Sequence, residues 1–100
     1  MRPEKLSGTV RETALAALAG RGWQHDSTRD SVSKTFAFKT FSATFGWMTQ
    51  IALHAEKRDH HPEWCNVYNR VVVTLTTHDA GGLTELDLDL AARMDAIAGA

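Results

Sequence analysis

Cysteine is nearly absent from this chain, with Cys65 standing alone. A single thiol excludes an intramolecular disulfide framework and any all-thiolate metal site, and it fits a reducing compartment. An excess of one charge is also missing, since 11 basic and 12 acidic residues leave a net charge of −1. No long run of like charge interrupts that balance, so there is no electrostatic footprint for nucleic acid. No stretch approaches the roughly 18 consecutive apolar residues of a membrane span. No apolar core of a signal peptide follows Met1-Arg2-Pro3-Glu4-Lys5. These features point to a cytoplasmic protein with no direct nucleic-acid or membrane partner. Glycine signatures are thin as well. Gly20-Arg21-Gly22 lacks the third glycine of a dinucleotide fingerprint, and Gly81-Gly82 stands alone, so both read as turn chemistry. With two prolines and no low-complexity tract or internal repeat, the 100 residues form one domain, 1–100.

What is present is periodicity. Thr9-Val10-Arg11-Glu12 has the form of a capping box, and Val10, Ala14, Leu15, Ala17 and Leu18 recur at helical spacing up to Gly20. The turn-rich Asp26-Ser27-Thr28-Arg29-Asp30 separates residues 23–25 from residues 32–39, where Phe36 and Phe38 share a face, which predicts a β-hairpin. From 41 to about 57, Phe41, Phe45, Met48, Ala52 and Ala55 keep a helical spacing, with Trp47 and Ile51 widening the stripe. Pro62 bars that helix from continuing. Residues 64–68 and 71–77 flank Asn69-Arg70 as a second hairpin. Its second strand sets Val71, Val73 and Leu75 against Val72, Thr74 and Thr76. Thr84, three residues before Asp87, is a plausible cap for a last helix with Leu86, Leu90, Met94 and Ile97 on one face. The expected architecture is α+β in two layers: a four-stranded antiparallel sheet with helices on one face, in the order αββαββα.

Three of the five histidines fall at element boundaries, in Glu56-Lys57-Arg58-Asp59-His60-His61-Pro62 and in Thr77-His78-Asp79. Imidazole both gives and takes a proton near neutrality. Glu56 lies four residues before His60, so on a continuous helix its carboxylate would orient that ring. Pro62 forces extended geometry on His61, which sends His60 and His61 in different directions. His78 continues the Val72, Thr74, Thr76 parity, and antiparallel pairing returns it beside the helix-to-strand corner. Three histidines also suffice for a catalytic zinc, but adjacent His60-His61 lacks the one-turn spacing of a helical zinc motif, so proton transfer is preferred. His25 and His54 read as solvated or structural, and Trp47, Trp64 and Tyr68 as packing residues. Cys65 reads as a small core residue, and Asp87 as no more than a first-turn carboxylate facing the helix dipole.

The run from Ala55 to Trp64 resembles the pterin-4a-carbinolamine dehydratase family, as do Asn66-Val67-Tyr68-Asn69, Thr77-His78, Gly82-Leu83, Asp87 and Leu90-Ala91. Gly22-Trp23, Phe36, Phe38 and Phe45-Gly46-Trp47-Met48 extend the likeness upstream. The resemblance implies dehydration of 4a-hydroxytetrahydropterin to quinonoid dihydropterin, in recycling after an aromatic amino acid hydroxylase. It implies no metal and no organic cofactor. By position, His60, His61 and His78 would be catalytic with Glu56 in support. Asp59, Pro62, Thr76, Thr77 and Asp79, with the histidines themselves, would line or order the pterin site. The acid and base stay unassigned, with His60 favoured at the hydroxyl and His78 at N5. Asp79 stands where the family often has glutamate, and Cys65 where an aromatic is frequent. The family also implies a homodimer or homotetramer, and in animals a second role as a dimerisation cofactor for a transcription factor.

Overall fold

A computed structural model describes residues 3–99. Its elements run α1 (Gly8–Gly20), β1 (Gln24–Asp26), β2 (Ser31–Ala37), α2 (Phe41–Arg58), β3 (Glu63–Val67), β4 (Arg70–Leu75), a short 3₁₀ turn (His78–Ala80) and α3 (Glu85–Ala98). The four strands form one sheet in the order β1-β2-β4-β3. Every neighbouring pair is antiparallel, as expected for two hairpins laid side by side. Among the described residues no helix is long and apolar enough to cross a membrane.

Strand parity decides the layers. Val71, Val73 and Leu75 are buried and Val72 is 48 % exposed, so one face of β4 meets the helices and the other is open. Val32 and Phe36 bury the matching face of β2, and Leu18, Trp47, Ile51, Leu90 and Met94 cover it from the helices. Trp47 organises the centre, with its ring centroid 4.6 Å from Phe36, 5.2 Å from Phe38 and 6.1 Å from Trp64. Its indole N–H donates to the Met94 carbonyl at 3.2 Å, joining α2 to α3. At the far end of α3, buried Asp95 accepts from Arg21, Trp23 and Lys34 at 2.9, 3.0 and 2.6 Å.

Several local expectations change. α1 starts at Gly8 after Ser7, whose side chain makes no capping bond, so Thr9 does not open a capping box. Tertiary contacts fix that entry instead: the Leu6 N–H donates to the Leu83 carbonyl at 2.8 Å, and Arg11 reaches Asp30. On α2 the buried stripe is Thr44, Trp47, Ile51 and Ala55, while Phe41 and Phe45 are 50 % and 55 % exposed and Ala52 is exposed. The periodicity was satisfied by two adjacent apolar stripes, and only the one containing Trp47 faces the sheet. Cys65 is exposed on the open sheet face, not in the core, because its parity follows Val72, its partner in register. Tyr68 is exposed with φ 50 in the β3–β4 turn and does not pack on the sheet.

Candidate active site

The site begins where α2 ends. Asp59 caps the helix in the left-handed region, with φ 52, and the His60 N–H reaches back to the Ala55 carbonyl at 3.1 Å. This closure wraps the chain sharply, as glycine-type C-caps do. It drives His60 inward, leaving it 5 % exposed. There His60 Nε2 lies 2.6 Å from Oδ1 of Asp87, a residue with no exposure at all.

Asp87 is held from its other oxygen. Oδ2 accepts the Thr77 hydroxyl at 2.8 Å and the Thr84 N–H at 2.9 Å. Since Thr77 spends its proton on Asp87, the Thr84 hydroxyl donates to Thr77 across 2.7 Å, and it also accepts the Leu86 N–H at 3.2 Å. The sequence signal for a cap at Thr84 therefore corresponds to a full capping box, with Asp87 answering the Thr84 backbone. A buried carboxylate fed by two donors on one oxygen presents the other as a pure acceptor. Nε2–H of His60 donates to it, and Nδ1 is the nitrogen left to exchange a proton.

The expected pairing of Glu56 with His60 does not form. α2 stops at Arg58, so helical spacing never reaches His60, and the left-handed turn brings the following ring back instead. Glu56 Oε1 lies 3.0 Å from His61 Nε2, both groups being largely exposed. The true partner of His60 is Asp87, which is more than the dipole-facing carboxylate expected from its place in the first turn of α3.

His78 does not extend the last strand either. β4 ends at Leu75 and Thr77 pairs with Gly82 through reciprocal N–H to carbonyl bonds of 3.1 and 3.2 Å, making residues 77–82 a closed turn. Topology still sets this turn beside the helix-to-strand corner, because Glu63 pairs with Thr74 at the adjoining ends of β3 and β4. A concavity of ≈ 190 Å³ is lined by Arg29, Thr76, His78, Gly81 and Gly82. Arg29 forms a two-pronged ion pair with Glu63. Glu63 is held below the usual carboxylate range by those hydrogen bonds first, with a smaller electrostatic contribution from His78. Pro62 and Glu63 belong to the rim of a second concavity, ≈ 510 Å³, on the open sheet face with Cys65, Val72 and Thr74. Asp59 caps the corner, Asp79 sits exposed in the turn, and buried Thr77 joins the turn to Asp87. His25 is not merely solvated: its Nε2 lies 2.7 Å from buried Asp30. His54 pairs with Asp89 at 2.9 Å on the α2–α3 surface. Among the described residues no group of three or more His, Cys, Asp or Glu is arranged to hold a metal ion.

The sequence profile of the family described as "Pterin 4 alpha carbinolamine dehydratase" matches residues 4–97. The chain belongs to this family. Relatives from Jannaschia sp. (strain CCS1) and Rhodopseudomonas palustris (strain HaA2), each named "Putative pterin-4-alpha-carbinolamine dehydratase", are 58 % and 55 % identical over 95 and 96 residues. Those matches span 95 % and 96 % of this chain and 97 % and 93 % of the relatives. The crystal structure of a "transcriptional coactivator/pterin dehydratase from Brucella Melitensis" superposes with a TM-score of 0.87 at 52 % identity, covering 96 % of this chain and 100 % of the other. A "pterin dehydratase-like protein", described as a RuBisCO assembly factor in the alpha-carboxysome, is more distant at 28 % identity and a TM-score of 0.69, over 79 % and 92 % of the two chains. The αββαββα order and antiparallel sheet are thus those of a pterin dehydratase fold, and the family supports a lyase acting on pterins.

Proposed function

We propose that this protein dehydrates 4a-hydroxytetrahydropterin to quinonoid dihydropterin by histidine acid–base catalysis. The observation that carries this reading is the buried His60–Asp87–Thr77 chain, which ends one residue from His78. A general acid protonates the 4a-hydroxyl, the C4a–O bond breaks and water leaves. A base removes the N5 proton, and its electron pair closes the C4a–N5 double bond. The elimination is redox-neutral, so two poised proton carriers suffice, each contributing about 10² to 10⁴ in rate. His60, oriented by Asp87, acts on the hydroxyl, and exposed His78 acts on the N5 side. His61, with Glu56 beside it, binds the ring from the outer edge. Asp59, Pro62, Thr76, Thr77 and Asp79 line or order the site. In this reading the reaction follows an aromatic amino acid hydroxylase in the cytoplasm and requires no cofactor.

Self-association belongs to the same reading: Phe41, Phe45 and Leu53, 50 %, 55 % and 69 % exposed, mark an apolar side of α2 suited to a homodimer or homotetramer. That surface also favours a second reading, a protein-binding role independent of the histidines, in keeping with the coactivator half of the Brucella protein's name.

Stopped-flow dehydration of freshly generated 4a-hydroxytetrahydropterin tests the enzymatic reading. His78→Ala alters an exposed side chain, so the fold should be kept while turnover falls at least a hundredfold. Wild-type turnover in that variant would sink the assignment.

A further inference from the structure

Asp30 lies outside the His60–Asp87 chain yet is fastened to more elements than any reading of its turn requires. Its backbone is left-handed, with φ 53, and its side chain is 6 % exposed. Arg11 grips it from α1 with Nη2 at 2.5 Å from Oδ1 and Nη1 at 3.0 Å from Oδ2. His25 Nε2 lies 2.7 Å from Oδ1. Hydrogen bonding from Arg11 above all, against the opposing effect of burial, holds the carboxyl far below the ordinary range, so it is ionised at neutral pH. On its other side Asp30 meets the turn that carries His78. The Thr76 hydroxyl donates to the Asp30 carbonyl at 2.9 Å, and the Leu83 N–H donates to Oδ2 at 3.0 Å. Between these attachments Gly82 packs so closely that an added Cβ would stand 2.2 Å from Oδ2.

We propose that Asp30 is a positioning residue for His78, fastening both ends of the turn on which that imidazole is carried. His78 is exposed, so the backbone of residues 77–82 sets where its ring stands. That backbone is closed on itself by the Thr77–Gly82 pair and clamped from outside by one carboxylate and one carbonyl of the same residue. The two histidines thus have separate supports, Asp87 for His60 and Asp30 for His78. The catalytic consequence rests on the dehydratase reading above, whereas the clamp itself does not.

Asp30→Asn keeps one acceptor oxygen for partners that now use two, and it removes the charge. Loss of a charge-assisted bond at the turn corresponds to a drop in turnover on the order of tenfold to a hundredfold. The control is Asp95→Asn, an equally buried carboxylate with three donors that lies ten residues along α3, about 15 Å from its first turn. Turnover and amide hydrogen exchange would be measured for both variants, and turnover again in the His78→Ala background. The expected result is a fall in kcat for Asp30→Asn but less than about twofold for Asp95→Asn. Amides of residues 78–83 should exchange at least about tenfold faster in Asp30→Asn alone, and its cost in kcat should vanish once His78 is alanine. An equal loss with and without His78, or turn amides protected as in the wild type, overturns the proposal. Should Asp30→Asn not fold, Gly82→Ala presses on the same contact with Asp30 retained, and the same signature is required of it. If the wild-type protein shows no dehydration, the enzymatic reading fails by itself, and the exchange rates still decide whether Asp30 clamps the turn.

Discussion

Replacing Asp87 by asparagine changes one atom and separates its two roles. In the wild type, Oδ2 serves the Thr77 hydroxyl and the Thr84 N–H, while Oδ1 serves His60. Asparagine has one acceptor, and it must face Thr77 and Thr84, because turning the amide nitrogen toward the Thr84 N–H would oppose two donors. The capping box therefore survives, and the amide NH₂ faces His60 Nε2. That nitrogen must then accept, so the imidazole proton moves to Nδ1 and the ring presents the opposite tautomer to the substrate. A charge-assisted bond is worth about 1.5–3 kcal/mol and a neutral one about 0.5–1.5, so each weakened bond loses about 1–1.5 kcal/mol and the three together about 3–4.5 kcal/mol. For a domain of this size that lowers Tm by roughly 12–36 °C. Asp87→Ala leaves all three donors without the carboxylate and costs about 3–5 kcal/mol. Turnover should fall on the order of 10² or more in Asp87→Asn through the wrong tautomer alone. Urea unfolding followed by tryptophan fluorescence, with stopped-flow dehydration on the folded protein, measures both effects. Stability within about 0.5 kcal/mol of the wild type, together with unchanged turnover, would refute the role assigned to Asp87.

Acid should destabilise this protein below about pH 4, where an unfolded aspartate takes up its proton. Asp30 and Asp95 are both held lower in the folded state: Asp30 chiefly by Arg11, and Asp95 by Lys34, Trp23 and Arg21, which together outweigh its burial. The unfolded chain therefore binds more protons in that window, and stability is lost as pH falls toward the folded values. Asp30→Asn and Asp95→Asn should each flatten an acid denaturation curve, and an unaltered slope would contradict this. Glu56→Gln, at an exposed ion pair with His61, should change stability by less than about 0.5 kcal/mol in urea titration. Trp47→Ala should cost about 3–5 kcal/mol by the same measurement, since it empties the centre of the aromatic cluster and removes the link to Met94. Phe45→Lys should lower the assembled mass in sedimentation analysis without altering the monomer's circular dichroism.

Element order was legible because each element carries a local cause. Thr84 and Asp87 announce α3, Pro62 forbids α2 from continuing, and the alternation from Val71 to Leu75 fixes which face of β4 is buried. Of the apolar residues that the spacing picks out on α2, Trp47, Ile51 and Ala55 are buried and Met48 packs against the core, whereas Phe41, Phe45 and Ala52 are exposed, since periodicity alone does not say where the stripe meets the sheet. The histidines were visible by type and position, but not their partners. Spacing of four suggested Glu56 for His60, whereas a left-handed Asp59 turned the chain before that spacing could act. Sequence alone shows Asp87 as a first-turn carboxylate facing the helix dipole and Asp30 as part of a turn, because the second bond of each reaches across 27 or more residues and leaves no local trace.

The capping box of α3 has a kinetic corollary. Asp87 reaches His60 only when Thr84 and the first turn of the last helix have formed, and Thr77 can bond it only when β4 has already delivered the chain past Leu75. The His60–Asp87–Thr77 chain is therefore complete only when the sheet and the C-terminal helix are both docked. A folding intermediate with a frayed last helix would hold most of its core and still be catalytically silent. Recovery of activity during refolding should accordingly trail recovery of tryptophan burial, and loosening the first turn of α3 should extinguish turnover before the domain unfolds.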